Sequence, residues 1–121
     1  MGGNDDEFRL ENVQSQMRKG VLEYCILLVI ARGGQVYASD ILGALKSSNL
    51  IVVEGTIYPL LSRLNRAQYL KYTWIESSAG PPRKYYSLTE RGGEVLKQMT
   101  EQWVAFTTSI NELREAHEKD A

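Results

Sequence analysis

Apolar residues run almost unbroken from 21 to 31, with Glu23 as the charged interruption. A bilayer span takes about 20 such residues, so the run predicts a core helix instead. The helical pattern extends over residues 10–31 and stops at Gly33-Gly34. Gly20 lies inside that span and marks a place where the helix can break. Ala38, Ile41, Leu42 and Leu45 then follow the i, i+3, i+4, i+7 spacing of one buried helix face, with Ser39 near its start and Ser47-Ser48-Asn49 ending it. The β-branched stretch 51–53 suits a small strand. A third helix is expected over residues 54–64, where Ile57, Leu60, Leu61 and Leu64 repeat the helical spacing.

Beyond residue 70 the period changes. Tyr, Trp, Thr and Ile dominate residues 70–77, and Tyr85-Tyr86 marks residues 83–88, so both segments suit pleated strands. Residues 78–82, with Gly80-Pro81-Pro82, are expected to be the hairpin's turn, leaving Arg83 and Lys84 at its tip or base. Thr89 offers a cap for a final helix bearing Leu96, Met99, Trp103, Phe106, Ile110 and Leu113. Gaps alternating between three and four make the narrow seam of a coiled coil, not the broad face of a helix lying on its own core. In so short a chain that seam implies a homodimer. Packing on the chain's own N-terminal helix is compatible in part, because a dimer can bury both helices together.

The polar side of the third helix carries the candidate chemistry. Opposite its apolar stripe stand Tyr58, Pro59, Ser62, Arg63 and Arg66. Aromatic, hydroxyl and guanidinium groups on one face can stack, donate to phosphates and read base edges. Alone, the same face reads as a solvated amphipathic surface. The hairpin that follows changes the weighing, since a helix followed by a β-hairpin with basic residues is how a winged helix-turn-helix presents a reading helix and a phosphate-gripping wing. Plain solubilising charge remains the other account of Arg83 and Lys84. Pro59 is tolerable only near a helix start.

Charge supports this placement through its distribution and not its total. The 121-residue chain carries a net charge of −1, yet residues 32–91 hold eight Lys/Arg against four acids, leaving both ends acidic. A basic middle is the footprint expected where the centre meets phosphates, although so small a surplus also arises by chance. Length limits the chain to one domain. Catalysis finds little support: His117 sits in a polar tail, Cys25 has no base beside it, and no His/Cys/carboxylate cluster has metal spacing. Neither a cofactor nor a metal is expected. A lone cysteine excludes an internal disulfide, and the acidic N-terminus (Asp5, Asp6, Glu7) is unlike a targeting segment, so a cytoplasmic protein without membrane association is expected. Gly92-Gly93 lacks the further glycine and lysine of a phosphate loop.

Two motifs carry a specific resemblance. Glu54-Gly55-Thr56-Ile57-Tyr58-Pro59-Leu60-Leu61, followed by Pro82-Arg83-Lys84-Tyr85-Tyr86-Ser87-Leu88-Thr89, resembles the PadR family of bacterial transcriptional regulators. The likeness covers residues 17–121 and is closest to the short subfamily, whose appendage after the wing is one long dimerising helix. It implies a mainly α fold with a small β-hairpin: a disordered tail over residues 1–9, a winged helix-turn-helix over 10–89 and a C-terminal dimerisation helix over 90–121. It also implies a dimeric repressor on a pseudo-palindromic operator in double-stranded DNA, with Ser39, Thr56, Tyr58, Ser62, Arg63, Arg66, Arg83 and Lys84 as candidate contacts. The alternatives are a winged-helix module for protein partners and a small-molecule-binding dimer without direct operator recognition. In short relatives that bind planar drugs, a tryptophan of the last helix lines a pore at the dimer interface, and Trp103 matches it. Tyr24 and Cys25 match neighbouring pore positions with different side chains, so a planar aromatic effector touching Trp103 and Tyr24 is implied, against a plain core role for Trp103. Val53 departs from the Ser or Thr cap common in the family.

Overall fold

The computed structural model describes residues 20–50 and 54–120, together with Val13 and Met17. Helix α1 spans Val21–Gly33, strand β1 Val36–Tyr37 and helix α2 Ala38–Ser47. Helix α3 spans Glu54–Arg66, strands β2 and β3 span Leu70–Ser77 and Gly80–Leu88, and helix α4 runs over Glu90–Asp120. The expected tail over residues 1–9 and the small strand over 51–53 lie outside the described residues.

Of the expected helix over 10–31, α1 begins after Gly20, whose φ of 86° is left-handed and open to glycine at little cost, and residues 10–19 other than Val13 and Met17 lie outside the described residues. Beyond Gly20, α1 presents Ile26, Leu27 and Ile30 to the core, where they meet Ile41 and Leu45 of α2 and Ile57 and Leu61 of α3. All seven are essentially inaccessible to water, each stabilising the fold by about 1.5–3 kcal/mol. Asp40 accepts the Tyr37 N–H at 3.3 Å and caps α2. Two left-handed residues, Asn49 and Gln68, end α2 and α3. After α3 the Tyr69 N–H returns to the Leu64 carbonyl and the Gln68 N–H to that of Asn65, satisfying the last turn. Pro59 sits in the second turn of α3, beyond the start to which the sequence confined it. It is tolerated because Pro59 and Gly55 both face solvent, so the carbonyl deprived of its donor can meet water.

The sheet has the order β1-β3-β2, all antiparallel. Strand β1 is too short to have been foreseen; Val36 and Tyr37 pair with Tyr86 and Tyr85. The expected turn over 78–82 is corrected to Ser78-Ala79, because Gly80, Pro81 and Pro82 belong to β3. Proline lacks a ladder donor but tolerates a strand end beside an irregularity, and the register slips between Ile75 and Ser77. Arg83 and Lys84 therefore stand opposite Ile75 and Trp74, back from the tip where the sequence had allowed them.

Thr89 ties α4 to this sheet. Its Oγ1 accepts the Gly92 N–H at 2.9 Å as the expected cap and donates to the Gln68 carbonyl at 2.6 Å. Gly92-Gly93 is part of the α4 helix. Leu96 and Met99 pack against the core, while Trp103, Phe106, Ile110 and Leu113 are 42%, 60%, 53% and 73% exposed. No helix among the described residues is long and apolar enough to cross a membrane.

Candidate nucleic-acid interface

Helix α3 buries Ile57, Leu61 and Leu64, and this choice of face dictates where its polar groups go. Ser62 and Arg66 project into solvent on the opposite side, with Thr56 and Arg63 on one flank and Tyr58 on the other. The Tyr58 flank faces the wing. There Ser39 of α2, Tyr58 of α3, and Arg83 and Lys84 of β3 line one groove of about 230 Å³, together with Tyr37, Ala38 and Tyr86. Four candidate residues from three separate elements thus meet in one place.

Arg83 and Lys84 of the wing are each held by aromatic rings. Arg83 donates from Nη1 to the Tyr37 hydroxyl at 3.3 Å and lies 4.9 Å from that ring's centre. The Lys84 ammonium sits 3.9 Å from the centre of Tyr72, with Tyr86 at 5.6 Å and Trp74 at 5.9 Å. Tyr72 and Trp74 meet nearly edge-on, at 85°, and form a corner around it. Cation–π attraction at exposed sites is worth about 0.5–1 kcal/mol and narrows the freedom of a long side chain. Both cations are therefore partly ordered before any anion arrives. Tyr58 donates to Glu54 at 3.2 Å, and desolvation together with that hydrogen bond pushes its phenol pKa up, so the hydroxyl remains a donor at neutral pH.

Arg63 does not join the groove. Its Nε donates to Glu23 of α1 at 3.3 Å and its Nη2 to the other carboxylate oxygen. Thr56, Ser62 and Arg66 lie along the exposed side of α3, outside the groove lining. Sequence reasoning missed Tyr37, Tyr72, Trp74 and Glu23 as supporting residues. The alternating aromatics of β2 and the lone acid within the apolar run were the signals available.

A second feature lies between α1 and α4. Tyr24 donates to Thr100 Oγ1 at 2.8 Å, and its ring centre is 6.3 Å from that of Trp103. Both line an apolar cavity of about 510 Å³ with Gly20, Val21, Met99 and Phe106 among its other walls. Cys25, on the next position of α1, is half-buried, and burial pushes its thiol pKa up. Among the described residues no group of His, Cys, Asp and Glu could hold a metal ion.

A three-helix core with an appended β-hairpin, followed by one long helix, defines a winged helix-turn-helix protein. The profile of the PadR-like family of transcriptional regulators matches residues 26–98, and the chain belongs to that family. It is similar to a PadR-like transcription factor from Bacteroides fragilis, at 51% identity over 84% of this chain and 98% of the other, with a TM-score of 0.71. A PadR-like regulator from Bacillus cereus is 40% identical over 81% of this chain and 95% of its own, again at a TM-score of 0.71. Bacillus subtilis PadR, solved in complex with operator DNA, is 25% identical, with a TM-score of 0.60 over 66% of this chain and 46% of that one.

Proposed function

We propose that the chain is a homodimeric, sequence-specific DNA-binding repressor. In this reading α3 enters the major groove of a pseudo-palindromic operator, and the β2–β3 wing grips phosphates. The observation that carries it is the convergence of Ser39, Tyr58, Arg83 and Lys84 on one groove beside the exposed side of α3. Thr56, Ser62 and Arg66 then face base edges and flanking phosphates. Kinship with a PadR captured on operator DNA supports the same assignment.

Self-association is supported by α4, whose seam leaves Trp103, Phe106, Ile110 and Leu113 exposed on the single chain. Two copies related by a two-fold axis would read half-sites about 34–36 Å apart. The apolar cavity beside Trp103 and Tyr24 supports a planar aromatic effector that relieves repression. A regulator of this kind acts in the cytoplasm, on DNA.

The test is a gel shift with the chain's own upstream region against random duplex at physiological salt. Preferential retention of the upstream fragment is expected. Equal retention would transfer the winged helix to the class of protein-interaction modules.

A further inference from the structure

Among the described residues, Arg63 differs from the other cations near α3 in already holding a carboxylate. Its guanidinium grips Glu23 with two prongs, Nε to Oε2 and Nη2 to Oε1, across a separation of 40 residues in the chain. A carboxylate and a phosphate offer a guanidinium the same pair of acceptors. The two partners are unequally placed: the Arg63 side chain keeps 63% of its surface in solvent, Glu23 only 17%. Glu23 is anchored because α1 is fixed to the core through Ile26, Leu27 and Ile30. Arg63 can swing away on its exposed stem; Glu23 cannot follow.

We propose that Glu23 is a built-in stand-in for a DNA phosphate. It holds Arg63 back in the free protein and so lowers affinity for non-operator DNA. The inference rests on the DNA-binding reading above. Moving the guanidinium from Glu23 to a phosphate conserves its hydrogen bonds but leaves a largely shielded carboxylate without a partner, which is unfavourable. Loosely seated, sequence-independent contacts do not offset that loss. A fully seated α3 brings further contacts that do. Glu23 thus acts through Arg63 as a positioning residue for selectivity.

The experiment compares wild type, Glu23→Gln, Arg63→Gln and the double variant by fluorescence anisotropy on a labelled random-sequence duplex across a salt series. Glu23→Gln is expected to bind more tightly and to steepen the dependence of log K on log salt by about 0.9, the signature of one added phosphate contact. That change amounts to a roughly 3.5-fold larger loss of affinity per fourfold rise in salt. Arg63→Gln and the double variant should coincide near the wild-type slope. A Glu23→Gln variant with the wild-type slope overturns the proposal, as does a double variant that keeps the gain, which would trace it to lost charge repulsion alone. Should Glu23→Gln fail to fold, Glu23→Asp, whose shorter stem opens the fork, must show the same steepening. Wild type that binds no duplex removes the DNA-binding reading itself, a result distinct from either of these.

Discussion

Gly92 lies so close to the main-chain carbonyl of Tyr69 that a Cβ at position 92 would overlap it. This contact, beside the Thr89 hydrogen bonds, roots α4 at the base of the wing. The direction of the long helix relative to the reading head is therefore set by a backbone-on-backbone approach that only glycine allows.

Gly92→Ala is expected to destabilise the fold by about 1–3 kcal/mol through overpacking. Gly93→Ala, whose Cβ meets open space, should stabilise it by about 0.5–1 kcal/mol through helix propensity. Urea unfolding of both checks the pair. Equal midpoints would show that the root of α4 can shift to make room.

At the wing, Lys84→Ala should weaken binding to all duplexes alike and flatten the salt slope by about 0.9. Trp74→Ala removes one ring of the corner around the ammonium but keeps the charge. Affinity should then fall while the slope stays put. Salt titrations on operator and random DNA measure both, and a flattened slope for Trp74→Ala would contradict the positioning role.

Self-association is tested most cleanly below the core. Among the described residues Met99 packs against the core whereas Ile110 and Leu113 stand exposed, so Ile110→Arg with Leu113→Arg attacks the seam without attacking the fold. Each buried Ile or Leu is worth about 1.5–3 kcal/mol, and a two-fold interface counts it twice. Light scattering should register a shift to monomer across micromolar dilution. An unaltered dimer would place the interface elsewhere.

Cys25 should be a sluggish nucleophile. Burial raises its thiol pKa, so less thiolate is present at neutral pH than in an unfolded chain. Alkylation by iodoacetamide at pH 7 is expected to be slower in the folded protein than in urea. Equal rates would mean that α1 opens freely.

A Trp74→Phe variant leaves Trp103 as the single indole. Planar aromatic dyes that enter the α1–α4 cavity should quench it and change DNA affinity together. Quenching with no effect on DNA would reduce Trp103 to packing.

Much of this architecture was legible because apolar spacing and burial coincide. Ile41 and Leu45, and likewise Ile57, Leu61 and Leu64, are buried as their periods require. Strand β1 was invisible, since two residues carry no period. Pro81 and Pro82 argued for a turn by local propensity, and pairing in the hairpin overrode it. At the candidate groove, helical face placed Tyr58 on the exposed flank of α3, and the hairpin pattern placed Arg83 and Lys84 on the wing. The partner choice of Arg63 was not legible, because the face of α1 that meets α3 depends on how two helices 40 positions apart are docked.

Trp103 and Phe106 wall the cavity, and the same two side chains stand exposed on the apolar seam of α4. Whatever fills the cavity and whatever covers the seam therefore draw on shared surface, and by linkage each must alter the affinity of the other. For the proposed effector and the proposed dimer, a compound's apparent potency would then vary with how much of the protein a cell contains. Expression level would become a variable of that proposed response, and a chain that controls its own synthesis would adjust its own sensitivity.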